Sequence, residues 1–446
     1  MENKIFSLIN VETIDIVKLN ALLNEMNTVD IAETFENLKK EKKIQLFRLL
    51  PKAIAADVFN CMDADGRQVI IEALTDSEVG DIINKLFAYD AADLIEEMPA
   101  NLVDRLLRNA HHEKREIINR LLQYPENSAG SIMTTEYVVL SEDATVREAF
   151  DEIRATGVNK KTIYTCYVIR RDHLLIGVVS VKKLIMSKSH ERIGDIMHTG
   201  VLFVKTTDDN EVVAKQFQKY DLLAMPVVDK EERLVGIITV DDIVDVIVEE
   251  NTEDIEKMHA LVPSDEPYLD TGVFRHAKNR FLWLLFLMLS AILTGLVITS
   301  FEEGLAIMPI LIAFIPMLMD SGGNAGSQSA ALIIRGMAVG EIGQKDMFRI
   351  VWKEIRVALL CGIGLGLVNF IRVYIMNGQN LLLCVTITLS LCCTLVIAKV
   401  IGCILPMLAK RAKIDPAIMA APLITTIADV SSLIVYFSIA KVLLRL

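Results

Sequence analysis

Histidine is missing from the apolar C-terminal part of this 446-residue chain: all seven lie before residue 277. Cysteine offers little more. Five of the seven (Cys361, Cys384, Cys392, Cys393, Cys403) fall in apolar runs with one adjacent pair, neither a disulfide framework nor a good chelating arrangement. Without imidazole or spaced thiolates, Zn²⁺ and Cu⁺ sites there are excluded. The remaining ligands are carboxylate, amide, hydroxyl and carbonyl oxygens, which suit hard cations such as Mg²⁺, Ca²⁺ or Mn²⁺. The HExxH pattern of a zinc protease is absent, and so is a Walker A loop. Basic charge is short in the N-terminal part: residues 1–270 hold 31 Lys/Arg against 50 Asp/Glu, a net of −19, which argues against nucleic acid as a partner. The start, Met1 to Lys4 and then mixed residues, has no signal-peptide run, so the N-terminal half is expected to stay in the cytosol.

What is present is a second half of opposite character. Residues 271–446 hold 15 Lys/Arg and 8 Asp/Glu, a net of +7, and five apolar stretches at about 281–300, 305–330, 350–376, 381–408 and 417–444. Each covers the roughly 20 residues that a bilayer core requires. Arg275, Lys278 and Arg280, then Arg335, Lys345, Arg349, Lys353 and Arg356, then Lys410, Arg411 and Lys413 mark one side of the membrane. Positive-inside logic places the N-terminus in the cytosol and the C-terminus outside.

Charges within spans cost about 2.5–3.5 kcal/mol each on insertion scales, so each needs a reason. Asp429 stands near the middle of the last span with Thr425 one turn earlier on the same face. Its carboxylate is either satisfied by Thr or Ser hydroxyls, or protonated, or faces a wet path. Lys399 in the fourth span either pairs with an acid or snorkels. The second span is interrupted by Asp320-Ser321-Gly322-Gly323-Asn324-Ala325-Gly326-Ser327-Gln328. Asp320, Asn324 and Gln328 share one helix face at i, i+4 spacing; they serve either as helix–helix glue or as a pore surface.

Residues 20–125 read as short helices with a 12-residue repeat: 32–35 (AETF), 56–59 (ADVF), 80–83 (GDII) and 92–95 (ADLI), with 44–47 (IQLF) and 68–71 (QVII) between. This indicates an α-solenoid. From Gly130 a strand–helix texture appears twice: 131–134 (SIMT) and 195–198 (DIMH) lie 64 residues apart, and Gly-led strands at 177–180 and 236–239 close the two units. These units resemble a tandem pair of CBS modules. Such modules often hold adenine nucleotides by a Thr/Ser-x-x-Asp turn, which the second copy has as Thr239 to Asp242, with Asp245 beyond; the first has Ser180 to Lys183. An acidic helix follows, with Asp242, Asp245, Glu249 and Glu253 three or four apart, a spacing that is destabilising unless the charge is neutralised.

In that order (acidic solenoid, two CBS modules, acidic helix, five spans, a GGNAGSQ segment and an Asp in the last span) the chain resembles the MgtE family of magnesium channels. The expected fold is multidomain: a cytosolic α-solenoid (1–128), CBS modules of α+β type (129–190 and 191–248), a connecting helix and linker (242–270) and an all-α five-span transmembrane domain (271–446). The resemblance implies no enzyme activity. It implies instead a homodimer in the plasma membrane, contacting lipid, that admits Mg²⁺ and closes when cytosolic Mg²⁺ binds its acidic half. Asp429 would hold the pore ion, with Thr425, Asn324 and, at the cytosolic mouth, Asp415 nearby. Asp320, Gly322, Gly323, Asn324 and Gln328 would line the pore. Regulatory Mg²⁺ would be held by Asp93, Asp209, Glu211, Asp221, Asp242, Glu250, Glu253 and Asp254. Where members of the family often carry a further acid four residues before Asp93, this chain has Tyr89. Competing readings are an ion-coupled carrier of divalent cations and a membrane-anchored CBS sensor that transports nothing.

Overall fold

The computed structural model describes residues 16–36, 38–52, 54–264, 268–269, 271–376, 380–419 and 421–445. The polar start, Met1 to Lys4, and with it the expectation of no signal-peptide run, lies outside the described residues. The chain divides into two compact units, Met1–Ile247 and Val248–Leu446.

The first unit begins with nine described helices: α1 (Ile16–Glu25), α2 (Thr28–Glu36), α3 (Lys40–Leu49), α4 (Ala55–Asn60), α5 (Ala64–Ala73), α6 (Asp76–Ile83), α7 (Ala88–Glu97), α8 (Ala100–Asn109) and α9 (His112–Leu121). The 12-residue repeat has a direct structural meaning. Its last apolar position is Phe35, Phe47, Phe59, Ile71, Ile83 and Ile95, and all six are buried. The first three rings meet edge to face, with centroids 6.3 and 6.1 Å apart. The six helices α2 to α7 thus each place one side chain into a common spine, and each depends on its neighbours to bury it.

The repeated strand–helix units follow: β1 (Val139–Ser141), α10 (Val146–Thr156), β2 (Thr165–Ile169), β3 (Leu175–Ser180), α11 (Val181–Met186), α12 (Ile193–Ile196), β4 (Val204–Lys205), α13 (Asn210–Tyr220), β5 (Ala224–Val228) and β6 (Leu234–Thr239). Each sheet has three strands in sequence order, the first pair parallel and the second antiparallel. The modules exchange their leading segments: Thr134 pairs with Ile237, and His198 with Val178, through reciprocal backbone hydrogen bonds. Met133 and Met197 thereby lie across Gly236 and Gly177, where a Cβ would come within 2.5 Å of each sulfur. The paired SIMT/DIMH and Gly-led motifs are the two halves of this crossed contact.

One helix, α14 (Val240–Met258), carries the chain onward. The second unit holds α15 (Val273–Ser300), α16 (Glu302–Ile307), α17 (Ile315–Ala338), α18 (Met347–Met376), α19 (Leu381–Arg411) and α20 (Ala421–Leu444). Helices α15, α18, α19 and α20 are long and apolar enough to cross a membrane. The second predicted span is corrected in position: the helix does not start near residue 305 but at Ile315, after α16 and a 3₁₀ segment Pro309–Phe314, and it continues to Ala338. Pro309 and Pro316 account for the shift, since each suits the first turn of a helical segment and not its interior. Helix α19 packs against α17, α18 and α20.

Candidate functional site

Glycine brings α17, α19 and α20 together. A Cβ on Gly402 of α19 would fall inside van der Waals contact of the Gly326 carbonyl of α17, and one on Gly323 would lie 3.1 Å from Thr425 Cγ2 and 3.7 Å from Asp429 Oδ1 of α20. Asp429 is thus set against a glycine surface of α17. Among the described residues its carboxylate makes no hydrogen bond or ion pair. The surrounding hydroxyls turn to the backbone instead: Thr425 and Thr426 donate to the Pro422 carbonyl, Ser431 to that of Ile427 and Ser432 to that of Ala428. Asp320 of α17 is near enough to bear on Asp429 electrostatically.

The buried residues of α17 include Gly322, Gly323, Ala325, Gly326, Ser329 and Ala330. Asp320, Asn324 and Gln328 lie on the other side, all exposed and, among the described residues, without hydrogen-bond partners. The glycine stripe is therefore the glue. The polar stripe is free, and a free row of carboxylate and amide groups cannot face lipid cheaply.

Asp415 sits where the loop after α19 turns into the 3₁₀ segment Pro416–Met419, its Oδ1 accepting from Ala417 N at 2.9 Å. Its other oxygen lies 3.0 Å from Lys257 Nζ of α14, which also lies 2.8 Å from Glu253 Oε1. Burial alone would lower the Lys257 ammonium, but Glu253 and Asp415 hold it above the ordinary lysine range. Met258, the next residue, packs against Ala330, Ile334 and Ile424 of α17 and α20. Two of the predicted cation-binding acids thus share a lysine, with α14 ending against the helices that carry the polar stripe and Asp429.

In the first unit the predicted regulatory acids are spread out. Asp209 caps α13 by accepting from Glu211 N, Glu211 pairs with Lys215, and Asp221 ends the same helix in the left-handed conformation, roughly 18 Å from Asp209 at 1.5 Å per residue. Asp93 lies on α7. Asp242 accepts from the Thr239 hydroxyl and from Lys161 Nζ at 3.1 Å, so a ribose at the Thr239–Asp242 turn would meet an acid already engaged; Asp245 is exposed one turn on. Among the described residues no three His, Cys, Asp or Glu side chains gather closely enough to hold a metal ion.

A lysine occupies the junction between solenoid and CBS modules. Lys161 Nζ lies 3.1 Å from both Asp241 Oδ2 and Asp242 Oδ1, and 5.8 Å above the Phe87 ring. Burial would lower this ammonium, yet Asp242 and Asp241 raise it. Asp90 of α7 is pushed above the ordinary carboxylate range by burial, opposed chiefly by Lys161. Beside it Glu136, from the first module, accepts from the Ala88 N–H at 3.0 Å and so caps α7, whose own N-cap Phe87 has no acceptor. Lys161→Gln is expected to loosen this junction by about 3 kcal/mol, the scale for breaking a buried pair. Amide exchange of α7 with and without Mg²⁺ measures it: protection should depend more steeply on Mg²⁺ in the variant than in the parent. Equal Mg²⁺ dependence in both would refute the lysine's role.

Reading the sequence missed Glu354 of α18. It lies among the basic residues that flank a span, yet it is buried 3.5 Å from Lys399, supplying the acid partner left open for that lysine.

Comparison with known proteins places these features in context. The family model described as "Divalent cation transporter" matches residues 315–439, the MgtE intracellular N domain matches 26–127, and the CBS domain matches 129–189 and 193–249. A magnesium transporter MgtE of Thermus thermophilus is 36% identical over 96% of this chain and 95% of its own length. One of Bacillus subtilis is 32% identical over 94% and 92%. A crystal structure described as the soluble part of a magnesium transporter covers 56% of this chain and 99% of its own, at 29% identity and a TM-score of 0.53.

Proposed function

The chain belongs to the MgtE family of divalent cation transporters, and from that premise we propose that it is a membrane Mg²⁺ channel whose permeation path runs along the polar face of α17 and past Asp429 of α20. It is a magnesium transporter and not an enzyme. The observation that carries the path is a set of oxygen-bearing groups without hydrogen-bond partners among the described residues: Asp429, Asp320, Asn324 and Gln328. A second copy meeting this face would oppose two Asp429 carboxylates, −2 against +2. Mg²⁺ sheds water reluctantly, so contact through its hydration shell fits a wide ring of carboxylates and amides better than a tight cage. The homodimer and the orientation, with the acidic half cytosolic and the C-terminus outside, belong to this proposal. So does adenine nucleotide at Thr239, Asp242 and Asp245.

Gating follows from charge. An acidic half of net −19 repels itself when Mg²⁺ is scarce and is drawn together when it is plentiful. The ion shifts that balance only by its preference for the closed arrangement. The end of α14 is where closure would act, because Met258 and Lys257 already contact the elements bearing Asp429 and Asp415. Proteoliposomes holding only this protein test both parts. Mg²⁺ entry is expected without a counter-ion gradient, and high Mg²⁺ on the cytosolic side should suppress it. Neutralising Asp242, Glu250, Glu253 and Asp254 together should leave flux at high Mg²⁺. Entry that requires a proton or sodium gradient would replace the channel by a carrier, and unchanged inhibition in the fourfold variant would remove α14 from the gate.

A further inference from the structure

Two charges buried in the membrane-spanning unit have no part in the path proposed above. Glu354 of α18 and Lys399 of α19 are 9% and 7% exposed. Both reach one atom of a third helix: the Ser329 hydroxyl of α17, itself buried, donates to Glu354 Oε2 at 2.7 Å and accepts from Lys399 Nζ at 3.2 Å. Either charge alone would be costly within a bilayer; together they are neutral and hydrogen-bonded. Apolar residues of similar volume would pack three helices equally well. What they would lack is direction. Ser329 directly follows Gln328, and successive side chains on a helix diverge by about 100°. Drawing Ser329 inward therefore turns Gln328, and Asn324 one turn earlier, outward. One turn from the triad on each helix, Gly326 and Gly402 bring the two backbones into contact, a second fixed point against rotation.

We infer that the Glu354–Lys399 pair is a positioning device: through the Ser329 hydroxyl it sets the rotation of α17 and so holds Asn324 and Gln328 on the Mg²⁺ path. The inference rests on the reading of that α17 face as pore-lining.

The test is Mg²⁺ and Ca²⁺ flux through the full-length protein in liposomes, normalised to folded protein. Ser329→Ala removes one hydroxyl and leaves the charges paired, so the protein should assemble. Its Mg²⁺ flux should fall at least about tenfold, the equilibrium weight of even one of the two charged hydrogen bonds it loses, and its preference for Mg²⁺ over Ca²⁺ should narrow. Glu354→Leu combined with Lys399→Leu should assemble better than either single change and show the same two defects. Parental flux and selectivity in Ser329→Ala, or in the assembled double variant, would overturn the inference and leave the pair a packing element. Asn324→Leu separates this from the underlying reading. If it leaves flux and selectivity intact, α17 does not line the path and both ideas fall. If it is damaging while Ser329→Ala is normal, the positioning role alone fails.

Discussion

Asp429→Asn is expected to abolish Mg²⁺ flux while leaving the protein folded and inserted. The surroundings of the carboxylate set this outcome. No described residue pairs with it, and the four hydroxyls nearest along α20 are turned to backbone carbonyls. Packing therefore does not depend on the charge, and an isosteric amide should be tolerated. Permeation does depend on it, because an amide dipole replaces a full charge exactly where the ion must exchange bulk water for a protein ring. Asp429→Ala should behave alike. Thr425→Val, one turn away, should reduce flux far less, since a hydroxyl offers only a dipole. Flux in proteoliposomes, normalised to folded protein, decides the matter. Normal Mg²⁺ entry through folded Asp429→Asn would end the pore role of this residue, and a variant that fails to assemble would show the carboxylate to be structural.

The second large effect is on assembly. Gly402→Val is expected to eliminate folded protein. The added Cβ would meet the Gly326 carbonyl and lie 2.9 Å from its carbon and 3.1 Å from its Cα. Overpacking against movable side chains costs about 1–3 kcal/mol; here the obstacle is backbone on both sides, so α17 and α19 must part. Gly364→Val is the matched control. It too lies in a membrane-spanning helix, but no described residue stands within 4 Å of its missing Cβ. Folded yield and thermal unfolding after extraction should separate the two sharply. Equal stability would mean that the α17–α19 contact is not a fixed joint.

Local pattern was the legible part of this chain. The 12-residue repeat announced the solenoid because six successive helices repeat one burial problem, and Phe35, Phe47 and Phe59 solve it identically. The doubled SIMT/DIMH and Gly-led segments were visible as repeats, though their crossed pairing was not, since nothing in a repeat says which copy it will face. Hydropathy located α15, α18, α19 and α20. It misplaced α17, whose apolar lead-in 305–314 is broken by proline into short segments while the helix itself is diluted by polar residues. Asp429 and the Asp320–Asn324–Gln328 face stood out because an acid or amide in a membrane helix needs a reason. Glu354, Lys161 and Lys257 did not: each sits among other charges, where a solvated side chain is the ordinary expectation. Their importance comes from partners brought in from distant segments, and spacing along the chain carries no trace of that.

The polar composition of α17 has a consequence for biogenesis. This helix is not among those apolar enough to cross a bilayer unaided, and its glycine face is covered by α19 and α20, which the ribosome makes later. When α17 leaves the translocon, the elements that would shield its backbone do not yet exist. Stable insertion therefore waits on the C-terminal hairpin, and a chain truncated before α19 should leave its second span lodged at the interface, exposed to membrane proteolysis. The same polar row that an ion would follow in the finished protein is, during synthesis, the segment hardest to admit.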